Sequence, residues 1–189
     1  MKKISYLVGS ERFKHDPFEP FSDKVCKFLN CFSSELSKHK SIKKYPDLKS
    51  LSFWCRKKNI LRFKEAEKSL NYKIGLGLAF HITPSNMPTN FAYSLIFGLL
   101  SGNSNVVKVP SKKFHQIDII CKILKKLFLK FVFLRGRITI VRYQDNEKFT
   151  SKLSYLCNAR IMWGGNKTIN SIRNHKIQER TVELSFADR

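Results

Sequence analysis

Glycine and proline are scarce, 8 and 6 in 189 residues, which excludes a collagen-like or low-complexity chain. No apolar run approaches the ~20 residues that cross a bilayer. Phe91–Leu100 (FAYSLIFGLL) is about half that long and reads as a buried helix. Cysteine is sparse and unpatterned: Cys26, Cys31, Cys55, Cys121 and Cys157 are odd in number and form no Cys-x-x-Cys. Neither a disulfide framework nor a metal site is expected, and a reducing cytoplasm suits the chain. Met1–Ser10 makes a poor signal peptide, because the short apolar piece Ile4–Val8 runs straight into Glu11, Arg12, Lys14 and His15. Acidic residues are few as well. Fourteen Asp and Glu stand against 36 Lys and Arg, a net charge of +22. Such a charge attracts polyanions and admits nucleic acid as a partner, although lysine-rich codon usage gives the same number.

What is present argues for a core. The chain is 42% hydrophobic and 13% aromatic, with 16 Phe, which is against disorder. Its length suits one domain, or one lobe of something larger. Residues 1–72 read as a helical segment. Phe21–Lys38 has helical spacing at Val25, Phe28, Leu29, Phe32 and Leu36, and Pro46-Asp47 opens a second helix that continues or restarts through Leu61–Leu70.

From Lys73 onward, short apolar runs alternate with helices. Strands are expected over Lys73–Ile82, Asn105–Val109, Arg137–Val141, Ala159–Trp163 and from Thr181 to Phe186. Helices are expected over Asn90–Leu100, from a Ser111 cap to about Phe131, over Asn146–Leu156 and over Thr168–Asn174. This is the rhythm of βαβ units. Right-handed crossovers then give an α/β, doubly wound, mostly parallel sheet in residues 73–189.

Such sheets bind ligands at the carboxyl ends of their strands, and three strand-end loops carry chemistry. In the first, His81 to Pro88, two prolines hold a turn that projects Asn86, either as a hydrogen-bond donor to a developing oxyanion or as the cap of the next helix. In the second, Lys108 ends a buried strand and is followed by Pro110 and Ser111. Lys108 is placed for a ribose hydroxyl or a 2′-phosphate, or it snorkels from an edge strand. The third is Gly164-Gly165 before a helix, where backbone N–H groups can approach a phosphate. Gly75-x-Gly77 lies inside the expected strand and is no dinucleotide fingerprint.

Together these pieces resemble the aldehyde dehydrogenase superfamily, and within it the LuxC-type acyl-CoA reductases. The resemblance rests on HITPSNMPTNFAYSLIFGLLSGNSNVVKVPSK (His81–Lys112) and IMWGGNKTI (Ile161–Ile169), with support from Asp47–Leu61. A Pro-x-Asn-x-Pro turn, a helix, a Gly-Asn turn and a strand ending Lys-x-Pro-Ser follow in the family's order. The resemblance implies a Rossmann-like fold and an NADP cofactor, with NAD as the alternative. It implies cofactor contacts at His81, Lys108, Ser111, Gly164 and Gly165. Asn86 matches the oxyanion amide, and Glu183 the general base, with Ser185 as the alternative at that place. The implied substrate is an acyl-CoA or acyl-carrier thioester, reduced to an aldehyde through a cysteine nucleophile.

That cysteine lies, in the family, beyond the strand that begins here at Thr181. Cys157 reads instead as a small buried residue ahead of a strand. The chain is therefore expected to be the cofactor-binding part of a reductase, truncated, without the catalytic cysteine domain and inactive alone. It would work with a separate catalytic chain or as a homo-oligomer. The rival readings are a basic nucleic-acid-binding protein and a non-catalytic subunit of a split reductase. Against nucleic acid, the basic residues are spread along the chain and no RNP, KH, zinc-finger or helix-turn-helix pattern is present.

Overall fold

The structure is a computed structural model that describes residues 4–67, 73–144 and 146–187. The N-terminal layer holds α1 (Asp23–Ser37), α2 (Pro46–Trp54) and α3 (Lys57–Ala66). The α/β part runs β2 (Leu78–Ile82), α4 (Asn90–Leu100), β3 (Ser104–Val109), α5 (His115–Leu127), a short 3-10 turn, and β4 (Ile138–Arg142). It continues through α6 (Glu147–Leu156), β5 (Ala159–Gly164), α7 (Asn166–Arg173) and β6 (Val182–Ala187). Ahead of all these stands β1 (Ser5–Val8).

The sheet order is β1-β4-β3-β2-β5-β6. All neighbours are parallel except β1, which runs antiparallel to β4. The chain lays β3 and β4 on one side of β2, then returns to place β5 and β6 on the other. The sheet therefore reverses its winding between β2 and β5.

Side chains alternate along each strand and feed two cores. Val107, Val109, Ile138 and Ile140 pack under α1, α4 and α5. Leu78, Phe80, Ile82, Val106, Val141 and Met162 pack with Phe149, Leu153, Ile169 and Ile172 of α6 and α7. Each such buried side chain is worth about 1.5–3 kcal/mol relative to exposure. On β6 the alternation leaves Val182, Leu184 and Phe186 41%, 49% and 43% exposed. Among the described residues no helix reaches the length and apolarity needed to cross a membrane.

The expected α/β doubly wound sheet is present, with local differences. Ile4–Val8 yields a strand that closes the β4 edge, so residues 1–72 are not helical throughout. Val8 and the α1 residues share one core with Val107 and Ile140. Part of Leu61–Leu70 lies outside the described residues; α2 and α3 are separate helices, broken at Cys55 and Arg56.

β2 starts at Leu78, later than expected. Gly77 has φ +125°, and a Cβ there would stand 2.4 Å from Asn158 Oδ1. Asn103 Oδ1 accepts the Leu76 and Gly77 N–H groups at 2.7 and 3.2 Å, so side chains replace the ladder there. Ser111 does not cap α5, which begins at His115 after an extended Phe114. The Ser111 hydroxyl donates instead to the Tyr143 carbonyl at 3.3 Å.

Candidate functional site

The parallel register brings Ile82 level with Lys108 on one side and Met162 on the other. The three loops leaving β2, β3 and β5 consequently open at one height. They enclose a groove of about 330 Å³ lined by residues 82–86, by Lys108 through Ser111, and by Trp163, Gly164, Gly165 and Thr168. The groove sits at the carboxyl ends of the strands where the winding reverses, the place at which open α/β sheets take ligands. Asn86, Lys108, Ser111, Gly164 and Gly165 all line it.

Lys108 pairs in register with Val141 and emerges on the α6–α7 side of the sheet. Its Nζ lies 4.9 Å from the centroid of the Tyr143 ring, a cation–π contact. Lys108 and Thr168 also line a second hollow of about 610 Å³ between α6 and α7, walled by Tyr143, Lys148, Lys167 and His175. The two hollows therefore meet. Tyr143 is held rigidly: its hydroxyl pairs with Thr150 Oγ1 at 3.0 Å and its ring meets Phe149 edge-on at 5.2 Å. Burial pushes its phenol up to about 12, against a smaller opposing effect of the Thr150 hydrogen bond, so it stays neutral.

The Gly164-Gly165 turn suits a bound phosphate. Gly164 has φ +151°, which favours glycine. A Cβ built on Gly165 would meet nothing within 4 Å, so the space above it is open to a ligand. Gly165 is the N-cap of α7, whose first N–H groups point into that space. A nicotinamide dinucleotide fits these residues: a cation at the end of β3, free backbone donors at the start of α7, and a continuous trough between them.

Two expected site residues lie elsewhere. His81 does not line the groove. It is 1% exposed, with Nδ1 2.7 Å from Ser94 Oγ and Nε2 2.9 Å from Asn105 Oδ1. Burial drives its pKa down to about 4, against the opposing Asn105 bond. Its side chain points under α4 because Ile82, its successor, takes the other face. Glu183 is no free base either. It faces Arg160 across the β5–β6 ladder, near the entry end of β6, four register steps and about 13 Å from the strand's far end. Arg160 Nε and Arg173 Nε donate to it at 2.9 and 2.8 Å, and Arg160 Nη2 donates as well. Burial raises its pKa, but the Arg173 and Arg160 hydrogen bonds and charges outweigh this and hold it below the usual carboxylate range.

The comparisons with known proteins give the family and the fold. The family model for acyl-CoA reductase (LuxC) matches residues 39–188. The chain belongs to the acyl-CoA reductase (LuxC) family. Among solved structures, lactaldehyde dehydrogenase from Escherichia coli superposes with a TM-score of 0.61 at 16% identity, over 87% of this chain and 39% of that one. An NAD-dependent benzaldehyde dehydrogenase from Corynebacterium glutamicum gives 0.63 at 13% identity, over 89% and 42%. Proline utilization A from Bradyrhizobium japonicum gives 0.65 at 13%, over 87% and 20%. At these identities the likeness is one of fold. The chain spans about two-fifths of the first two structures or less of the third. A search of curated proteins finds no match.

Within this LuxC-family chain, no described cysteine lines the groove. Cys157 is fully buried at the end of α6, its Sγ donating to the Ser154 carbonyl at 3.2 Å. Burial pushes its thiol up to about 11, and those of Cys55 and Cys121 up to about 12. The sequence reading passed over Trp163, Thr168 and Tyr143 as lining residues. Trp163 had a visible signal, an aromatic directly before the glycine pair, whereas Tyr143 and Thr168 meet only through the register of β3, β4 and β5.

Proposed function

We propose that this chain is the nicotinamide-dinucleotide-binding portion of an acyl-CoA reductase, taking NADPH in preference to NADH. The convergence of Lys108, Ser111, Gly164, Gly165 and Asn86 on one groove at the winding reversal carries the reading. The Lys108 ammonium and Ser111 hydroxyl hold the ribose beside the adenine, and the Lys108 charge favours a 2′-phosphate on it. The backbone N–H groups at Gly165 and the start of α7 receive the pyrophosphate, aided by the helix dipole. The adenine end occupies the hollow between α6 and α7, against the Tyr143 side.

The cofactor, when bound, supplies a hydride. The chain's own part in reduction is to present Asn86, whose amide donates to the carbonyl oxygen of an acyl thioester from CoA or an acyl carrier. Pro84 and Pro88 restrict the turn that carries it. None of the described cysteines lines the groove, so none of them is placed as the thiol nucleophile that the family chemistry uses.

The test is calorimetric titration with NADPH, NADH and ADP. Saturable NADPH binding that is lost in Gly165→Val and weakened about tenfold or more in Lys108→Met is expected, the loss of one charge-assisted contact. Unchanged binding by both variants would overturn the site; absence of binding by the parent chain would overturn the reading.

A further inference from the structure

A chain of buried polar side chains runs beneath α4 and ends at the groove. Trp163 Nε1 donates to Ser94 Oγ at 3.2 Å, and Ser94 Oγ lies 2.7 Å from His81 Nδ1. His81 Nε2 lies 2.9 Å from Asn105 Oδ1, and Asn105 Nδ2 donates to the Asn103 carbonyl at 2.7 Å. The proton positions follow from the inventory of donors. Asn105 Nδ2 donates to Asn103, so Asn105 Oδ1 faces His81 and can only accept, which places the ring proton on Nε2. The neutral ring then offers Nδ1 as an acceptor, and Ser94 donates to it while accepting from the Trp163 indole.

The arrangement demands close packing. A Cβ on Gly98 would stand 1.9 Å from Asn105 Oδ1, so α4 approaches the sheet here because residue 98 has no side chain. Ser94, His81 and Asn105 are 3%, 1% and 1% exposed. Polar groups so buried are costly unless fully paired, and such networks hold their members in one geometry. The output of this network is the Trp163 indole. It lines the groove and stacks on Phe186 with centroids 4.0 Å apart and planes 13° from parallel. Phe186 is 43% exposed and sits on the last described turn of the edge strand. The stack therefore takes its orientation from Ser94.

We propose that Ser94 and His81 are positioning residues that fix the Trp163 indole as a flat wall for the nicotinamide ring. The role rests on the reading of the groove as a dinucleotide site. Trp163 projects to the α4 side of the sheet, beside the Asn86 loop, whereas Lys108 projects to the α6–α7 side. The wall thus belongs to the ring that reacts and leaves the adenine end untouched.

The test separates the two ends of the cofactor. The probes are NADPH and 2′-phospho-ADP-ribose, which lacks the nicotinamide, titrated into the full chain by calorimetry. In Ser94→Ala, NADPH affinity falls about three- to tenfold, the equivalent of one aromatic contact, while 2′-phospho-ADP-ribose binds as before. Trp163→Phe keeps a ring but loses the donor, and shows the same selective loss should Ser94→Ala not fold. In a Trp54→Phe background, where Trp163 is the remaining tryptophan, Ser94→Ala also shifts its emission to the red. A parallel loss for both probes, or no loss, overturns the positioning role while leaving the dinucleotide site standing. Failure of the parent chain to bind either probe overturns both.

Discussion

Arg160 and Glu183 stand directly opposite each other on adjacent parallel strands, the one 1% exposed and the other shielded beneath it. Arg160 also donates through Nη1 to the Ile172 and His175 carbonyls at 3.1 and 2.9 Å. It therefore ties the end of α7 to β5 while Glu183 neutralises it. Removing Glu183 leaves a buried cation unpaired, which typically costs about 3–5 kcal/mol. Glu183→Gln is expected to lose about 3 kcal/mol in urea unfolding. The double change Arg160→Met with Glu183→Leu is expected to lose much less, because no charge stays buried. Equal losses in the two proteins would refute the account.

His81 makes stability depend on acid. Its folded pKa of about 4 lies below the ordinary 6.5, so the unfolded chain binds the proton first. The stability linked to neutral His81 is complete above pH 6.5 and drains away as pH falls toward 4, by roughly 3 kcal/mol in all. Thermal unfolding between pH 7.5 and 4.5 measures it. His81→Gln, which cannot titrate, should flatten that part of the profile.

The glycine pair separates folding from binding. Gly165→Ala meets no atom within 4 Å and should unfold at the same urea concentration as the parent. Gly164→Ala forces a side chain onto a φ of +151° and should lose about 1–3 kcal/mol. The two unfolding midpoints decide the matter, and a reversed order would contradict the geometry.

Cysteine labelling should follow burial. Cys26 and Cys31 are part-exposed, while Cys55, Cys121 and Cys157 are buried with thiols near 12, 12 and 11. Iodoacetamide at neutral pH should mark the first two and spare the last three until the chain unfolds. Acyl-CoA-dependent NADPH oxidation by the chain alone should stay at background, with Cys157→Ala without effect. Turnover abolished by that substitution would place the nucleophile at Cys157.

Much of the fold was legible because the decisive signals are local. The bounds of α4 match Asn90–Leu100, since an apolar run there is framed by Pro88 and Gly102. The loops that line the groove were legible too, because Lys108 and Gly164 lie in the last residues of their strands and Asn86 in the proline-framed loop after Ile82. β1 escaped notice because four residues on an edge, only the last of them fully buried, carry too short a pattern. The fates of His81 and Glu183 depend on partners 24 and 23 positions away. Neither Asn105 nor Arg160 announces in its own neighbourhood that it will face them.

The winding reversal also bears on kinetics. β2 and β3 are joined by a short crossover, as are β5 and β6, but β2 meets β5 only after the chain has travelled from Leu78 to Asn158, 80 positions. Among the parallel pairs that junction closes the longest loop, and of these it is the slowest to win back its entropy. A ligand lying across it acts as a clasp between two halves that otherwise assemble through short crossovers. Hydrogen exchange at Phe80, His81 and Ile161 should therefore slow together when the groove is filled, with the β1–β4 edge left as it was.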